Sequence, residues 1–146
     1  IWRSPTAEGV FRSLVKKKKL MEKIQIDSAG TGSWHIGQPP DKRSQEAACL
    51  RGFDISNQRS RQVCNNDFET FDYLVAMDSA NIEALQAMIP PEFLVKLSLF
   101  LDFAPHLHYN DIPDPYYSGL DGFEFVLDLI EEASQALLNH IQANNL

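Results

Sequence analysis

The apolar run at residues 73–77 is the feature that most restricts the fold of this chain. Consecutive apolar residues with little polar alternation predict a strand buried on both faces, as in the parallel sheets of α/β proteins. Residues 24–26 and 95–100 read as two further strands. Helical patterns separate the strands, at residues 5–19, 41–50, 80–88 and 122–143. Strands that alternate with helices indicate a parallel sheet with right-handed crossovers.

Length and charge limit the possible organisation and partners. The 146 residues are expected to form one domain, residues 1–146, with no internal repeat or linker. No apolar run approaches a membrane span, and a net charge of -7 argues against nucleic acid or an anionic membrane as the main partner. Two cysteines without a disulfide framework fit the cytoplasm, and the histidines show no metal spacing. We expect a monomer that needs no metal or cofactor.

The start of the sequence has the pattern of a helix N-terminus that can hold an anion. Ser4 suits the N-cap, Pro5 suits the first helical position, and Glu8 would lie in the positive first turn. Free backbone N–H groups and the helix dipole attract phosphate there, and the Arg3 guanidinium can grip two of its oxygens. A surface arginine before an ordinary capped helix is the alternative.

Two loops carry residues that suit a binding site. Asp114 stands between two prolines and precedes two tyrosines, which suits a carboxyl group held over an aromatic-lined pocket. A stiff loop with capping aspartates would look similar. Residues 27–32 follow the first predicted strand, where open α/β sheets bind ligands. Trp34 comes next and is expected to face a cleft, unless it covers the sheet edge.

Four segments in this order resemble the low-molecular-weight protein tyrosine phosphatases, most closely the bacterial type. They are residues 1–8, residues 27–31 with Trp34, residues 71–78 and residues 114–117. The resemblance covers nearly the whole chain. It implies a three-layer, doubly wound parallel sheet of four strands with a flavodoxin-like topology, whose central first strand is missing from this sequence.

The resemblance also implies a nucleophile that the sequence lacks. The phosphate-binding loop of the family is Cys-x5-Arg-Ser, and Arg3 with Ser4 matches its end. Only two residues precede Arg3, and neither Cys49 nor Cys64 has an arginine six residues later. We therefore expect the cysteine and its strand to lie ahead of Ile1.

By the same resemblance, the chain hydrolyses phosphotyrosine in proteins through a phosphocysteine intermediate and binds phosphate in its site. Arg3 clamps the phosphate, Ser4 donates to the thiolate, and Asp114 is the general acid and then the base. Asp111 is expected to be solvated or capping. The expected substrate-binding residues are Ile1, Trp2, Trp34, Tyr116 and Tyr117.

Two departures from the family pattern, and the alternatives, stay open. Trp2 stands where a second cysteine is common, and Gln58 stands where a histidine is common. Arg61 matches a position that pairs with acidic residues. Arsenate reductase would need a cysteine relay, and an arginine phosphatase would carry threonine in place of Ile1 and lack the tyrosines. A catalytically dead phosphate-binding module would follow if no cysteine preceded Arg3.

Overall fold

The computed structural model describes residues 3–32, 36–114 and 119–146, without the side chains of residues 119–121. Its helices are α1 (Arg3–Lys17), α2 (Lys42–Leu50), α3 (Asn65–Thr70), α4 (Ser79–Gln86) and α5 (Gly119–Asn145). Its strands are β1 (Leu74–Ala76) and β2 (Leu97–Leu99). Short 3₁₀ helices span Pro91–Lys96, Phe100–Phe103 and Pro105–Leu107. None of these helices combines the length and the apolar character needed to cross a membrane.

The two strands pair in parallel, as the alternation of strands and helices predicts. Leu74 lies opposite Leu97, and Ala76 lies opposite Leu99. The prediction of a strand at residues 24–26 was wrong, because this segment joins no ladder in the described part of the chain. A groove of about 780 Å³ lies between it and β1, and its lining includes residues 23–32 and 70–77. A strand forms only with a hydrogen-bonded neighbour about 4.8 Å away, and the residues that the structure describes supply none for this segment.

The core forms where α1 packs against α5. Val10 and Val15 of α1 are fully buried, as are Ile130 and Leu138 of α5. Burying an aliphatic side chain of this size contributes about 1.5–3 kcal/mol. Apolar residues at helical spacing in the sequence of α5 predict a buried stripe, which is confirmed at Leu129, Ala133, Leu137 and Ile141. Phe125, predicted to belong to it, is 38% exposed and stacks edge-on against Tyr109 instead.

Helix α2 has the predicted ends. Asp41 is its N-cap and accepts from the Arg43 backbone N–H at 2.8 Å. Gly52 follows the C-cap residue with a φ of +86°, a left-handed conformation that glycine adopts without a side-chain clash. Cys49 was expected to pack in the core, but it is exposed, because Ala47 and Ala48 form the inner face of α2.

The start of α1 differs from the prediction. The helix already includes Arg3, so Ser4 lies within its first turn and is not an N-cap. Glu8 consequently lies beyond the first turn, where the helix dipole no longer accounts for its charge. Arg3 and Ser4 thereby line one wall of the groove.

Candidate active site

The Arg3 guanidinium is held by two oxygens from distant parts of the chain. Its Nη1 lies 2.7 Å from Asp78 Oδ2 and donates to the carbonyl oxygen of Ile112 at 2.6 Å. The side chains of Arg3 and Asp78 are 18% and 20% exposed. A pair this sheltered is screened less by water and salt than an ion pair on the open surface. The guanidinium therefore has a fixed direction before any ligand arrives.

Asp78 reaches this position because β1 ends just before it. Asp78 is the N-cap of α4, and its side chain accepts from the Asn81 backbone N–H at 2.8 Å. Burial raises the pKa of Asp78, but the Asn81 N–H and the Arg3 guanidinium outweigh burial, so the pKa is lowered. The carboxylate is thus charged at neutral pH and can hold the arginine.

The loop at residues 111–114 docks onto the same turn, residues 77–79. Ile112 is fully buried, and its backbone N–H donates to the carbonyl oxygen of Met77 at 2.8 Å. Asp111 Oδ1 accepts from the backbone N–H of Ser79 at 3.0 Å and from its hydroxyl at 2.8 Å. Asp114 is exposed and lies two residues beyond Ile112. The loop that carries Asp114 is therefore fixed relative to Arg3.

A polar network ties the first turns of α1 to residues 26–28. The Ser28 hydroxyl donates to Glu8 Oε1 at 2.7 Å, and Arg12 Nη2 donates to Glu8 Oε2 at 3.1 Å. Arg12 also donates to the carbonyl oxygen of Ile26 at 2.9 Å. Glu8 is thus a bridging carboxylate, in contrast to the dipole-stabilised acid expected from the sequence. On another side of the helix, Gln58 Nε2 donates to the carbonyl oxygen of Pro5 at 2.9 Å.

Arg61 holds the neighbouring loops together through two carboxylates. Arg61 Nη2 lies 3.0 Å from Asp27 Oδ2, and Arg61 Nη1 lies 2.9 Å from Asp67 Oδ2. Burial raises the pKa of Asp67, but Arg61 and the Cys64 backbone N–H outweigh burial and hold it below the ordinary value. The expected pairing of Arg61 with acidic residues is confirmed.

The structure describes only part of the predicted site. Arg3 and Ser4 line the groove together with Ser28 and Glu8, whereas Asp114 is not part of its wall. The remaining predicted residues, Ile1, Trp2, Trp34, Tyr116 and Tyr117, lie outside the described residues. No cluster of three or more potential metal ligands occurs in the ranges that the structure describes.

Sequence reasoning missed the residues that position Arg3 and the loop of Asp114. Asp78 and Ser79 were read only as the end of a strand and the cap of a helix. Their signal was present, because two polar residues directly after a buried strand lie at the carboxyl edge of the sheet. Nothing in the sequence pointed to the carbonyl oxygen of Ile112, since every residue has a carbonyl group.

Comparison with known proteins agrees with this architecture. The family model of the low molecular weight phosphotyrosine protein phosphatases matches residues 1–146. The low molecular weight protein-tyrosine-phosphatase YfkJ of Bacillus subtilis is 42% identical over 97% of this chain and 90% of its own length. A crystal structure of a protein tyrosine phosphatase from Entamoeba histolytica has a TM-score of 0.95 at 37% identity, covering 100% of this chain and 93% of that one. The Drosophila arginine phosphatase is more distant, with a TM-score of 0.86 at 32% identity, covering 98% and 92%.

These findings define an α/β phosphatase in which the first residue of α1, Arg3, is held by the turn that follows β1. The chain belongs to the low-molecular-weight phosphotyrosine protein phosphatases. The flavodoxin-like fold and the protein-tyrosine-phosphatase activity that the sequence predicts are confirmed. The described part of the sheet has two of the expected four strands.

Proposed function

We propose that this protein hydrolyses protein phosphotyrosine through a phosphocysteine intermediate, with Arg3 as the phosphate clamp and Asp114 as the general acid and base. The supporting observation is the double hold on the Arg3 guanidinium by Asp78 and by the carbonyl oxygen of Ile112. It joins the arginine of the phosphate-binding motif to the loop that carries Asp114.

The clamp lowers the electrostatic barrier to attack. A phosphate monoester dianion repels an anionic nucleophile, so the site must neutralise charge that develops in the transition state. Arg3 Nη1 already contacts Asp78 and Ile112, so we expect the edge formed by Nε and Nη2 to grip two phosphate oxygens. The first backbone N–H groups of α1 supply further donors in a phosphate-binding loop. Ser4 donates its hydroxyl to the thiolate.

The nucleophile in this mechanism is a cysteine thiolate. It attacks phosphorus, the bond from phosphorus to the tyrosine oxygen breaks, and Asp114 protonates the leaving phenolate. Water then attacks the phosphocysteine, Asp114 accepts a proton from the water, and the phosphorus–sulfur bond breaks to release phosphate and thiolate. Neither Cys49 nor Cys64 lines the groove beside Arg3. In the family motif Cys-x5-Arg-Ser, this cysteine stands six positions before the arginine that Arg3 matches.

Aromatic side chains give the slot its preference for an aryl phosphate. Trp34 and Tyr116 would form its walls and stack on the phenyl ring, with Tyr117 beside them. Ile1 and Trp2 would border the mouth of the phosphate loop.

The cellular setting is proposed on simpler grounds. Both cysteines are exposed and outside any disulfide, which fits the cytoplasm. The acidic net charge of -7 disfavours nucleic acid and anionic membranes as partners. We propose phosphotyrosine-containing proteins as the partners and a monomer as the oligomeric state.

A substrate panel tests this function. The natural full-length protein is assayed for phosphate release from peptides that carry phosphotyrosine, phosphoserine or phosphoarginine. We expect a higher kcat/KM with phosphotyrosine than with either alternative. Among the solved structures, identity to YfkJ of Bacillus subtilis exceeds that to the Drosophila arginine phosphatase, 41% against 32%. Faster turnover of phosphoarginine, or no turnover of any peptide, would contradict the proposal.

A further inference from the structure

The loop that carries Asp114 has a second anchor that the proposed mechanism does not use. Asp111 Oδ1 accepts two hydrogen bonds from one residue, the N–H and the hydroxyl of Ser79, at 3.0 and 2.8 Å. Ser79 is the first residue of α4, and its N–H has no partner within the helix. The next residue of the loop, Ile112, makes two backbone contacts of its own, to Met77 and Arg3.

We propose that Asp111 is a positioning residue that sets the direction of Asp114 through its bonds to Ser79. This inference rests on the proposed function, because it requires Asp114 to be the general acid. Four hydrogen bonds then attach residues 111–112 to residues 77–79 and to Arg3, so the acid and the phosphate clamp share one support. A general acid must lie within hydrogen-bonding reach of the leaving oxygen, and an error of about 1 Å can cost roughly 10²-fold in rate.

The short path from the anchor to Asp114 makes this transmission effective. Only Pro113 separates Ile112 from Asp114, and its ring fixes φ near -65°. Ile112 is fully buried and cannot turn freely. The hydrogen bonds of Asp111 fix the position directly before Ile112 as well, and this restricts rotation of the loop about the Ile112 contacts. Asp111 and Ser79 are both exposed, so water competes with their bonds. The expected effect is therefore about tenfold, below the 10²-fold of a full misplacement.

Two variants of Asp111 separate positioning from proton transfer. Asp111→Ala removes the acceptor, whereas Asp111→Asn retains an oxygen that can accept both bonds from Ser79 but has no transferable proton. If Asp111 positions the loop, the asparagine variant keeps most activity and the alanine variant loses about tenfold on a phosphotyrosine peptide. Ser79→Ala, which removes one donor, should give a smaller loss. Equal damage by asparagine and alanine would overturn the inference.

Asp111 could also act only by capping and stabilising α4. The dependence of the rate loss on the leaving group distinguishes this role from the positioning of Asp114. With p-nitrophenyl phosphate, the phosphorylation step needs less acid, so Asp111→Ala should slow that step less than it slows phosphotyrosine cleavage. In an Asp114→Asn background, Asp111→Ala should add no further loss. Inhibition by inorganic phosphate should stay unchanged, because the hold of Asp78 on Arg3 is intact. Equal losses on both substrates, or an additive loss in the double variant, would overturn the inference.

The chain contains a matched control. Asp54 Oδ1 also accepts from the N–H and the hydroxyl of one serine, Ser56, at 2.9 and 2.6 Å. Both residues are exposed, and their two hydrogen bonds join residues only two positions apart in the chain. Asp54→Ala should leave the kinetics on both substrates unchanged.

If Asp114→Asn itself gave no leaving-group-dependent loss, both the acid assignment and this inference would fail. The other contrary results would overturn the role of Asp111 alone.

Discussion

Arg3 and Asp78 form an ion pair of 2.7 Å between the first helix and the turn after the first strand. The carboxylate of Asp78 therefore serves two structures at once, since it also caps α4 through the Asn81 N–H. This shared use couples the direction of the phosphate clamp to the start of a helix. It also makes the two roles separable, because aspartate and asparagine are comparable N-caps and only aspartate is charged.

Asp78→Asn should reduce activity with little loss of stability. The asparagine oxygen can still accept from the Asn81 N–H, but it no longer neutralises Arg3. We expect kcat/KM for a phosphotyrosine peptide to fall about tenfold, with a small change in Tm. The matched control is Asp41→Asn, the same change at the N-cap of α2. Unchanged kinetics in Asp78→Asn would contradict a role for the ion pair in catalysis.

Arg3→Lys should lose most of the activity. An ammonium group cannot make the planar two-point grip on phosphate, and it cannot contact Asp78 and Ile112 in the same geometry. We expect kcat/KM to fall roughly 10²–10³-fold and inhibition by inorganic phosphate to weaken. Arg59→Lys, at an exposed arginine that donates to the carbonyl oxygens of Ser56 and Gln58, is the control. Near-normal turnover in Arg3→Lys would remove this residue from the site.

Trp34→Ala should discriminate between substrates. If Trp34 stacks on the phenyl ring, its loss weakens turnover of phosphotyrosine up to about tenfold but leaves a small aliphatic phosphate, which cannot stack, nearly unaffected. The measurement is kcat/KM on both substrates with the same enzyme preparation. Equal losses would mean that Trp34 supports the fold.

Asp114→Asn should affect substrates according to their leaving groups. The phenolate of tyrosine has a pKa near 10 and needs a proton as it leaves. We expect phosphotyrosine cleavage to slow roughly 10²–10⁴-fold, with a smaller loss for p-nitrophenyl phosphate in the phosphorylation step. The later hydrolysis step also uses Asp114 as base, so burst kinetics are needed to separate the two. A loss independent of the leaving group would contradict the acid role.

Acid should destabilise the protein below about pH 4. The pKa values of Asp67 and Asp78 are lowered in the folded state from an ordinary value near 3.9. Each therefore contributes stability that is present above pH 3.9 and is lost as the pH falls through the lower folded value. The free energy of unfolding measured with urea should therefore fall as the pH drops below about 4.

A variant can assign part of this acid dependence to one residue. Asp67→Asn should cost about 1–3 kcal/mol at pH 7 and flatten the acid slope, because the partly buried Arg61 loses a charged partner. Glu46→Gln, at an exposed carboxylate with no ion pair among the described residues, is the control. An unchanged slope in Asp67→Asn would contradict this assignment.

Local patterns in the sequence were sufficient for most of the framework. The buried run at β1, the caps Asp41 and Asp78, and the glycine after α2 follow from rules that involve neighbours in the chain. These rules gave α2, α4 and both paired strands close to their observed bounds. Local patterns also marked Arg3 and Asp114 as candidate site residues, and the resemblance to a family then suggested a role for each.

Tertiary contacts decided what the sequence could not. Residues 24–26 alternate like a strand, but pairing requires a neighbour that the described chain does not supply. Cysteine is a residue type that is often buried, but Cys49 lies on the solvent-facing side of α2. The partners of Arg3 and of Glu8 lie far away in sequence, so only the folded chain could identify them.

The groove beside β1 has a consequence for how amide hydrogens exchange with solvent. Main-chain groups of Leu74–Ala76 on the side of β2 are protected by the ladder, whereas those that face the groove have no strand beside them among the described residues. Exchange protection is highest where the hydrogen-bonded main chain is excluded from water. The two edges of one short strand should therefore exchange at very different rates. An extended segment filling the groove would convert the fast edge into some of the slowest-exchanging amides of the sheet.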